Sequence, residues 1–284
     1  MEHGTGRSAA GPSSYLGLIR YRNCIMSAVA VFLGAFVVTG RSITGHLIAV
    51  TAGMAVVFLF TGAGNSLNDY IDADIDRVAH PERPIPSGAI RRGNARQLSF
   101  TFFAISILLS ALINVYALAV ALVSLAIMVS YEYRLKNSGL SGNAAIAWLT
   151  ASLFLFGAVA VGSILPVWAF FATSFMATLG REVIKDIEDM DADKGIRKTL
   201  PMVLGTRKSM ALSTVSLAGA VAVSPFPFVF HQFGYMFLAV VIVADAVFAY
   251  TAYVQWKSAP RAQRIAKAAM YVAMLAFLVG ALEV

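Results

Sequence analysis

Ten of the fifteen acidic side chains in this 284-residue chain fall within two short stretches. The first holds Asp69, Asp72, Asp74 and Asp76; the second holds Glu182, Asp186, Glu188, Asp189, Asp191 and Asp193. At one constant offset Asn65 falls on Glu182, Asn68 on Lys185, Asp69 on Asp186, Asp72 on Asp189, Asp74 on Asp191 and Asp76 on Asp193. The same offset carries Pro84 onto Pro201 and Gly88 onto Gly205, which marks a parallel internal repeat with a site between its halves. At about 100° per residue, Asn65, Asn68, Asp69, Asp72 and Asp76 share one helix face about 100° wide, and Asp74 points away. Glu182, Lys185, Asp186, Asp189 and Asp193 share the equivalent face, with Asp191 pointing away. Carboxylates one turn apart repel each other, so aligned rows of them need an opposing cation. Solvated acids at a helix end would account for one such row, but poorly for two matched copies.

The donor atoms narrow the cation. All are oxygens, and neither the single Cys24 nor His3, His46, His80 and His231 give a metal-ligand spacing. Oxygen-only sites suit Mg²⁺, Mn²⁺ or Ca²⁺ rather than zinc. Mg²⁺ usually takes one or two carboxylates and completes its shell with water and substrate phosphates. Two acidic faces opposite each other can therefore hold Mg²⁺ bridging to a diphosphate.

The elements that must position these side chains are membrane helices. The chain is 58% hydrophobic and 13% charged, against about a quarter charged in soluble domains. Nine stretches reach the roughly 20 apolar residues of a bilayer span, near 24–40, 45–64, 98–115, 117–132, 143–162, 165–181, 209–226, 234–254 and 267–282. With a cytoplasmic N-terminus, 21 of the 22 Lys and Arg fall on the inner side and only Arg41 outside. The net charge of +7 thus records topology, and nucleic acid is excluded as a partner. Both acidic stretches follow spans of the same direction and lie on the cytoplasmic side. The predicted architecture is all-α: a disordered tail at 1–14, then one transmembrane domain at 15–284 with pseudo-repeat halves of roughly 15–135 and 136–284. No Gly-x-x-x-x-Gly-Lys-Ser/Thr is present, which excludes a P-loop ATPase. Asp245, inside the eighth span, is expected to pair with a hydroxyl on a neighbouring helix, and Pro225–Phe230 to form an outer aromatic belt.

Asn68-Asp69-x-x-Asp72-x-x-x-Asp76 followed by Arg83-Pro84-Ile-Pro86-Ser-Gly88 resembles the first signature of the UbiA-type intramembrane prenyltransferases. Asp186-x-x-Asp189-x-x-x-Asp193 with Lys198-Thr199-Leu-Pro201 resembles the second. Within that family, Leu18-Ile19-Arg20-x-x-Asn23 and Lys185-Asp186-Ile187-Glu188-Asp189 look most like the archaeal digeranylgeranylglyceryl phosphate synthases. The resemblance implies a bundle of about nine helices with two cytoplasmic Asp motifs. It also implies Mg²⁺-dependent transfer of a geranylgeranyl group from its diphosphate to the free hydroxyl of geranylgeranylglyceryl phosphate, an archaeal ether-lipid precursor. Where many members carry Tyr-x-x-x-Lys, this chain has Tyr131-Glu-Tyr133-Arg134-Leu-Lys136, so Tyr131 and Tyr133 both stand as candidates.

Breaking an allylic C–O bond builds negative charge on the departing diphosphate, which metal ions and fixed cations stabilise in a dry site. Asn68, Asp72, Asp76, Asp186, Asp189 and Asp193 are assigned to Mg²⁺, with Asp69 and Glu182 beside them. Lys136 and Arg134 are candidate diphosphate clamps, and Tyr131 or Tyr133 can face the allylic cation. Arg20, Asn23, Arg83, Lys185 and Lys198, with Arg22 and His80, are the groups available to an anionic acceptor, although positive-inside topology alone explains any single cation. Two rivals remain: the same fold with an aromatic acceptor, and a secondary transporter in which Asp245 is the essential acid.

Overall fold

In the computed structural model, residues 11–165, 167–195 and 198–283 are described, and all regular structure among them is helical. The order is α1 (Pro12–Leu18), α2 (Tyr21–Thr39), α3 (Leu47–Ile71), α4 (Ala73–Ala79), α5 (Arg92–Ile113), α6 (Val115–Tyr133) and α7 (Leu140–Ala160). There follow α8 (Val167–Glu188), α9 (Leu200–Leu204), α10 (Thr206–Val223), α11 (Phe226–Val229), α12 (Tyr235–Val254) and α13 (Ala259–Glu283). Helix α1 begins at Pro12, a residue suited to a first helical turn, so the end of the expected 1–14 tail is helical. Residues 1–10, Pro166, Ile196, Arg197 and Val284 lie outside the described set.

Among the described residues seven segments are long and apolar enough to cross a membrane. The first, Tyr21–Ile71, is 51 residues long and contains both α2 and α3. A short 3₁₀ turn, Gly40–His46, reverses the chain between them, entered through Gly40 at φ 51°. Among the described residues nine helices of at least 18 residues overlap the nine apolar stretches, but α8, which carries the second acidic stretch, is not among the seven segments.

Each long helix packs on its successor, and α13 returns to α2 and α8. Helix α7 lies at the centre, against α2, α3, α6 and α8. Two glycines permit this. A Cβ on Gly34 of α2 would stand 2.0 Å from the Phe154 carbonyl oxygen, and one on Gly157 of α7 would stand 2.0 Å from that of Val31. Small residues that let backbones meet are the usual means of helix association in lipid. One core gathers Val31, Val56, Val57, Ala117, Ala121, Phe156 and Val159 on one side of α7; another gathers Phe170, Phe237, Val241, Ala276 and Phe277 on the other.

The two ends of the bundle differ. At one, Asn114 ties the α5–α6 hairpin to α7: its Oδ1 accepts from the Ala117 N–H and its Nδ2 donates to the Val159 carbonyl, both at 2.8 Å. There too Glu283 accepts from the N–H groups of Gly234, Met236 and Phe237, which caps α12. The other end carries both acidic stretches. The continuous helix assumed in projecting them is interrupted: α3 stops at Ile71 and α4 restarts at Ala73, while α8 stops at Glu188 and turns follow. Carboxylates crowd the C-terminal turns, where the helix dipole is already negative, and like charges one turn apart repel.

Candidate active site

The first acidic wall is built where α3 ends. The Asp72 N–H still donates to the Asn68 carbonyl at 2.9 Å and the Asp76 N–H to that of Asp72 at 2.8 Å, so the one-face arrangement survives the break. Asp69 and Asp76 are buried, 2% and 4% exposed. Buried charges must be paired, and here the partners are cations from three other segments. Arg20 donates to Asp69 at 2.7 Å and to Asn68 Oδ1 at 3.3 Å. It does so from φ 51°, a left-handed conformation that is uncommon in a non-glycine residue, here between α1 and α2. Arg83 donates to Asp76 at 2.6 Å and stands 3.9 Å from Asp69. Lys136, just beyond α6, donates to Asp72 and lies 3.7 Å from Glu132. Glu132 in turn accepts from Asn68 Nδ2 at 3.0 and 3.3 Å.

The second wall is the end of α8. Asn143 of α7 donates to Asp186 at 2.8 Å, and Glu182 pairs with Arg181. The Asp189 N–H donates to the Lys185 carbonyl at 2.9 Å and that of Asp193 to Asp189 at 2.9 Å; Asp189 is half-buried and Asp193 buried. Asp74 and Asp191, which the helical projection turns away, are exposed. Asp74 pairs with Arg92, and Asp191 with Lys194 at 2.5 Å, a contact that holds its carboxyl below the usual carboxylate range.

Against the second wall lies a polar chamber of about 220 Å³ lined by Tyr131, Lys136, Asn143, Glu182, Lys185, Asp186, Lys198 and Thr199, with none of the first wall's acids in its lining. Beneath it an apolar cavity of about 360 Å³ runs between α2, α3, α6 and α7. Its lining includes Asn23, Asn65, Phe60, Val57, Val120, Met128, Leu149 and Phe156. Ile146 lines both spaces, so a ligand with a charged head and an apolar tail has adjoining room for each. The cavity volume falls in the usual range for small-molecule sites, about 300–1,000 Å³.

Lys136 joins the first acidic wall to the chamber, and Tyr131, Lys185, Asp186 and Lys198 line it. Tyr133 and Arg134 are exposed and line neither space, and Asn23 belongs to the apolar cavity. Arg22 is exposed beside Tyr21, and His80 is exposed near Glu82. Two site residues escaped sequence reasoning: Glu132 and Asn143, buried polar groups bonded to Asn68 and Asp186. The signal available was their position, in apolar helices a turn from Lys136 and from Gly139. Asp245 accepts at 2.8 Å from Ser224, the residue that caps the end of α10, the pairing with a neighbouring helix's hydroxyl expected of it.

The residues present fit Mg²⁺. The donors are carboxylate and amide oxygens at the negative ends of two helices, where a dication is favoured. Among the described residues no three acidic or histidine side chains converge as a ligand cluster of their own. A cation held there would complete its shell with water and phosphate oxygens, as Mg²⁺ ordinarily does.

A model of the UbiA prenyltransferase family matches residues 27–278. The digeranylgeranylglyceryl phosphate synthase of Natronomonas pharaonis is 37% identical over 270 residues, covering 94% of this chain and 96% of that protein. The protein of that name from Methanocaldococcus jannaschii is 34% identical over 277 residues, covering 95% and 96%. A solved structure of a digeranylgeranylglyceryl phosphate synthase superposes with a TM-score of 0.90 at 33% identity, over 96% of this chain and 99% of that one. A UbiA homologue from Archaeoglobus fulgidus bound to GPP and Mg²⁺ shares the fold, with a TM-score of 0.69 at 17% identity over 95% and 100% of the two chains.

Proposed function

The chain belongs to the UbiA prenyltransferase family, and from that premise we propose that it transfers a geranylgeranyl group from its diphosphate to the free hydroxyl of geranylgeranylglyceryl phosphate, with Mg²⁺ as the metal. That it is a multi-pass membrane prenyltransferase follows from the family and the seven apolar segments. The observation that carries the finer reading is Ile146, shared by a polar chamber and an apolar cavity. The likeness to digeranylgeranylglyceryl phosphate synthases supports the acceptor.

In this reading the diphosphate lies in the chamber and the prenyl tail in the cavity beneath. The C1–O bond of the donor breaks with its electron pair leaving on the diphosphate, the acceptor oxygen bonds C1, and the hydroxyl proton passes to the diphosphate or a site carboxylate. Asn68, Asp72 and Asp76 would hold Mg²⁺ from one wall and Asp186, Asp189 and Asp193 from the other. The metal supplies Lewis-acid stabilisation of the departing diphosphate. Lys136 and Lys185 stabilise the same charge with fixed ammonium groups, strengthened where water is excluded. Tyr131, lining the chamber, offers its ring face to the developing allylic cation. Lys198 and Arg20 are the cations available to the acceptor phosphate. The concentration of Lys and Arg at this end supports a cytoplasmic active site, reached by nine crossings.

The test is transfer of labelled geranylgeranyl by purified enzyme, with and without Mg²⁺, to geranylgeranylglyceryl phosphate and to 4-hydroxybenzoate. Mg²⁺-dependent ether formed with the lipid acceptor alone is expected. Product with the aromatic acid alone would keep the site and replace the acceptor.

A further inference from the structure

Glu132 is a buried carboxylate beside the site, bonded to it and outside the set proposed to hold metal or substrate. It is 7% exposed at the end of α6, where the bundle meets the chamber. Both its oxygens accept from the Asn68 amide nitrogen, at 3.0 and 3.3 Å, and one lies 3.7 Å from the Lys136 ammonium. Lys136 donates to Asp72, and Asn68 Nδ2 reaches the same Asp72 oxygen at 3.3 Å. One side chain thus faces both groups that crowd Asp72.

Two consequences follow from elementary hydrogen-bond chemistry. An amide nitrogen donates and an amide oxygen accepts. With its nitrogen committed to Glu132 and Asp72, Asn68 must present Oδ1 on the opposite side, where Arg20 approaches at 3.3 Å. Second, Lys136 has two carboxylates within reach. A dication that takes Asp72 displaces the ammonium, and Glu132 keeps it beside the chamber instead of releasing it to solvent. Without that second carboxylate, Lys136 would lean wholly on Asp72 and compete with the metal for it.

We propose that Glu132 is a positioning residue that orients the Asn68 amide and offers Lys136 a second carboxylate beside Asp72, so that the first acidic wall can accept a dication while Lys136 stays at the diphosphate. The proposal rests on the metal–diphosphate reading of the site. Outer groups that orient metal ligands typically contribute about 10–100-fold in metal affinity, which sets the expected effect.

The test is Mn²⁺ binding to purified protein with inorganic diphosphate, read by electron paramagnetic resonance without turnover, in wild type, Glu132→Gln and Glu132→Asp. Glu132→Gln is expected to bind Mn²⁺ about 10–100-fold more weakly, with an unchanged melting temperature and an unchanged KM for the lipid acceptor. Glu132→Asp keeps the charge on a shorter side chain and is expected to recover part of the loss. Wild-type Mn²⁺ affinity in Glu132→Gln overturns the proposal, as does a loss that simply tracks a lowered melting temperature. Should Glu132→Gln fail to fold, an intermediate affinity in Glu132→Asp supports the proposal and a wild-type one overturns it. Wild-type protein that binds no Mn²⁺ overturns the metal–diphosphate reading, and the proposal with it.

Discussion

Lys136 donates to the first acidic wall and lines the chamber, so it touches both parts of the site. Removing a fixed donor from developing oxyanion charge commonly costs about 10²–10³ in turnover. Lys136→Ala is therefore expected to lower transfer by about that factor, checked by labelled-product formation at saturating donor. The two tyrosines divide by exposure. Tyr131→Leu is expected to slow turnover about tenfold, in keeping with a cation–π contact of 1 kcal/mol or more, whereas Tyr133→Leu should leave it within about twofold, as exposed substitutions usually do. The acidic motifs were legible in the sequence because spacing alone shows a shared face and a repeat. Glu132 and Asn143 were not, since each is a single polar residue whose partner lies 64 or 43 positions away. A contact of that range exists only once the helices pack.

Helices were readable where composition decides and less so where geometry does. The long apolar stretches come out as helices with boundaries moved by up to eight residues, because burying an apolar backbone in lipid leaves helix as the available form. The breaks after Ile71 and Glu188 escaped the projection, which treats every residue as helical and ignores the repulsion among neighbouring acids. Equally hidden was the crossing of α2 on α7, since glycine is common in membrane helices and only the packed pair shows which glycines matter. Gly157→Val would drive a side chain into the Val31 carbonyl and the Ala35 nitrogen. It is expected to destabilise by about 1–3 kcal/mol or more, seen as a lower melting temperature in detergent, with product length unchanged in whatever protein remains folded.

Across the whole molecule, the proposed seat of the prenyl tail gives α6 and α7 the dimension that would select the donor. Both run from the polar chamber down the apolar cavity, and Val120 stands about 16 Å along α6 from Tyr131 at 1.5 Å per residue. Val120→Trp would fill the far end while leaving the chamber untouched. The expected outcome is a shift in relative kcat/KM from geranylgeranyl toward farnesyl or geranyl diphosphate, measured in competition; an unchanged preference would place the tail elsewhere.

The first acidic wall carries its own counter-ions: Arg20 on Asp69, Arg83 on Asp76 and Lys136 on Asp72. A newly inserted chain therefore has no need of a metal to neutralise these carboxylates while its helices assemble. On the proposed metal reading, maturation would be an exchange of one set of cations for another in a bundle already closed, and loss of metal would return the wall to its resident partners. Unlike small domains that unfold when stripped of their ion, such an enzyme can idle through metal scarcity with its architecture intact.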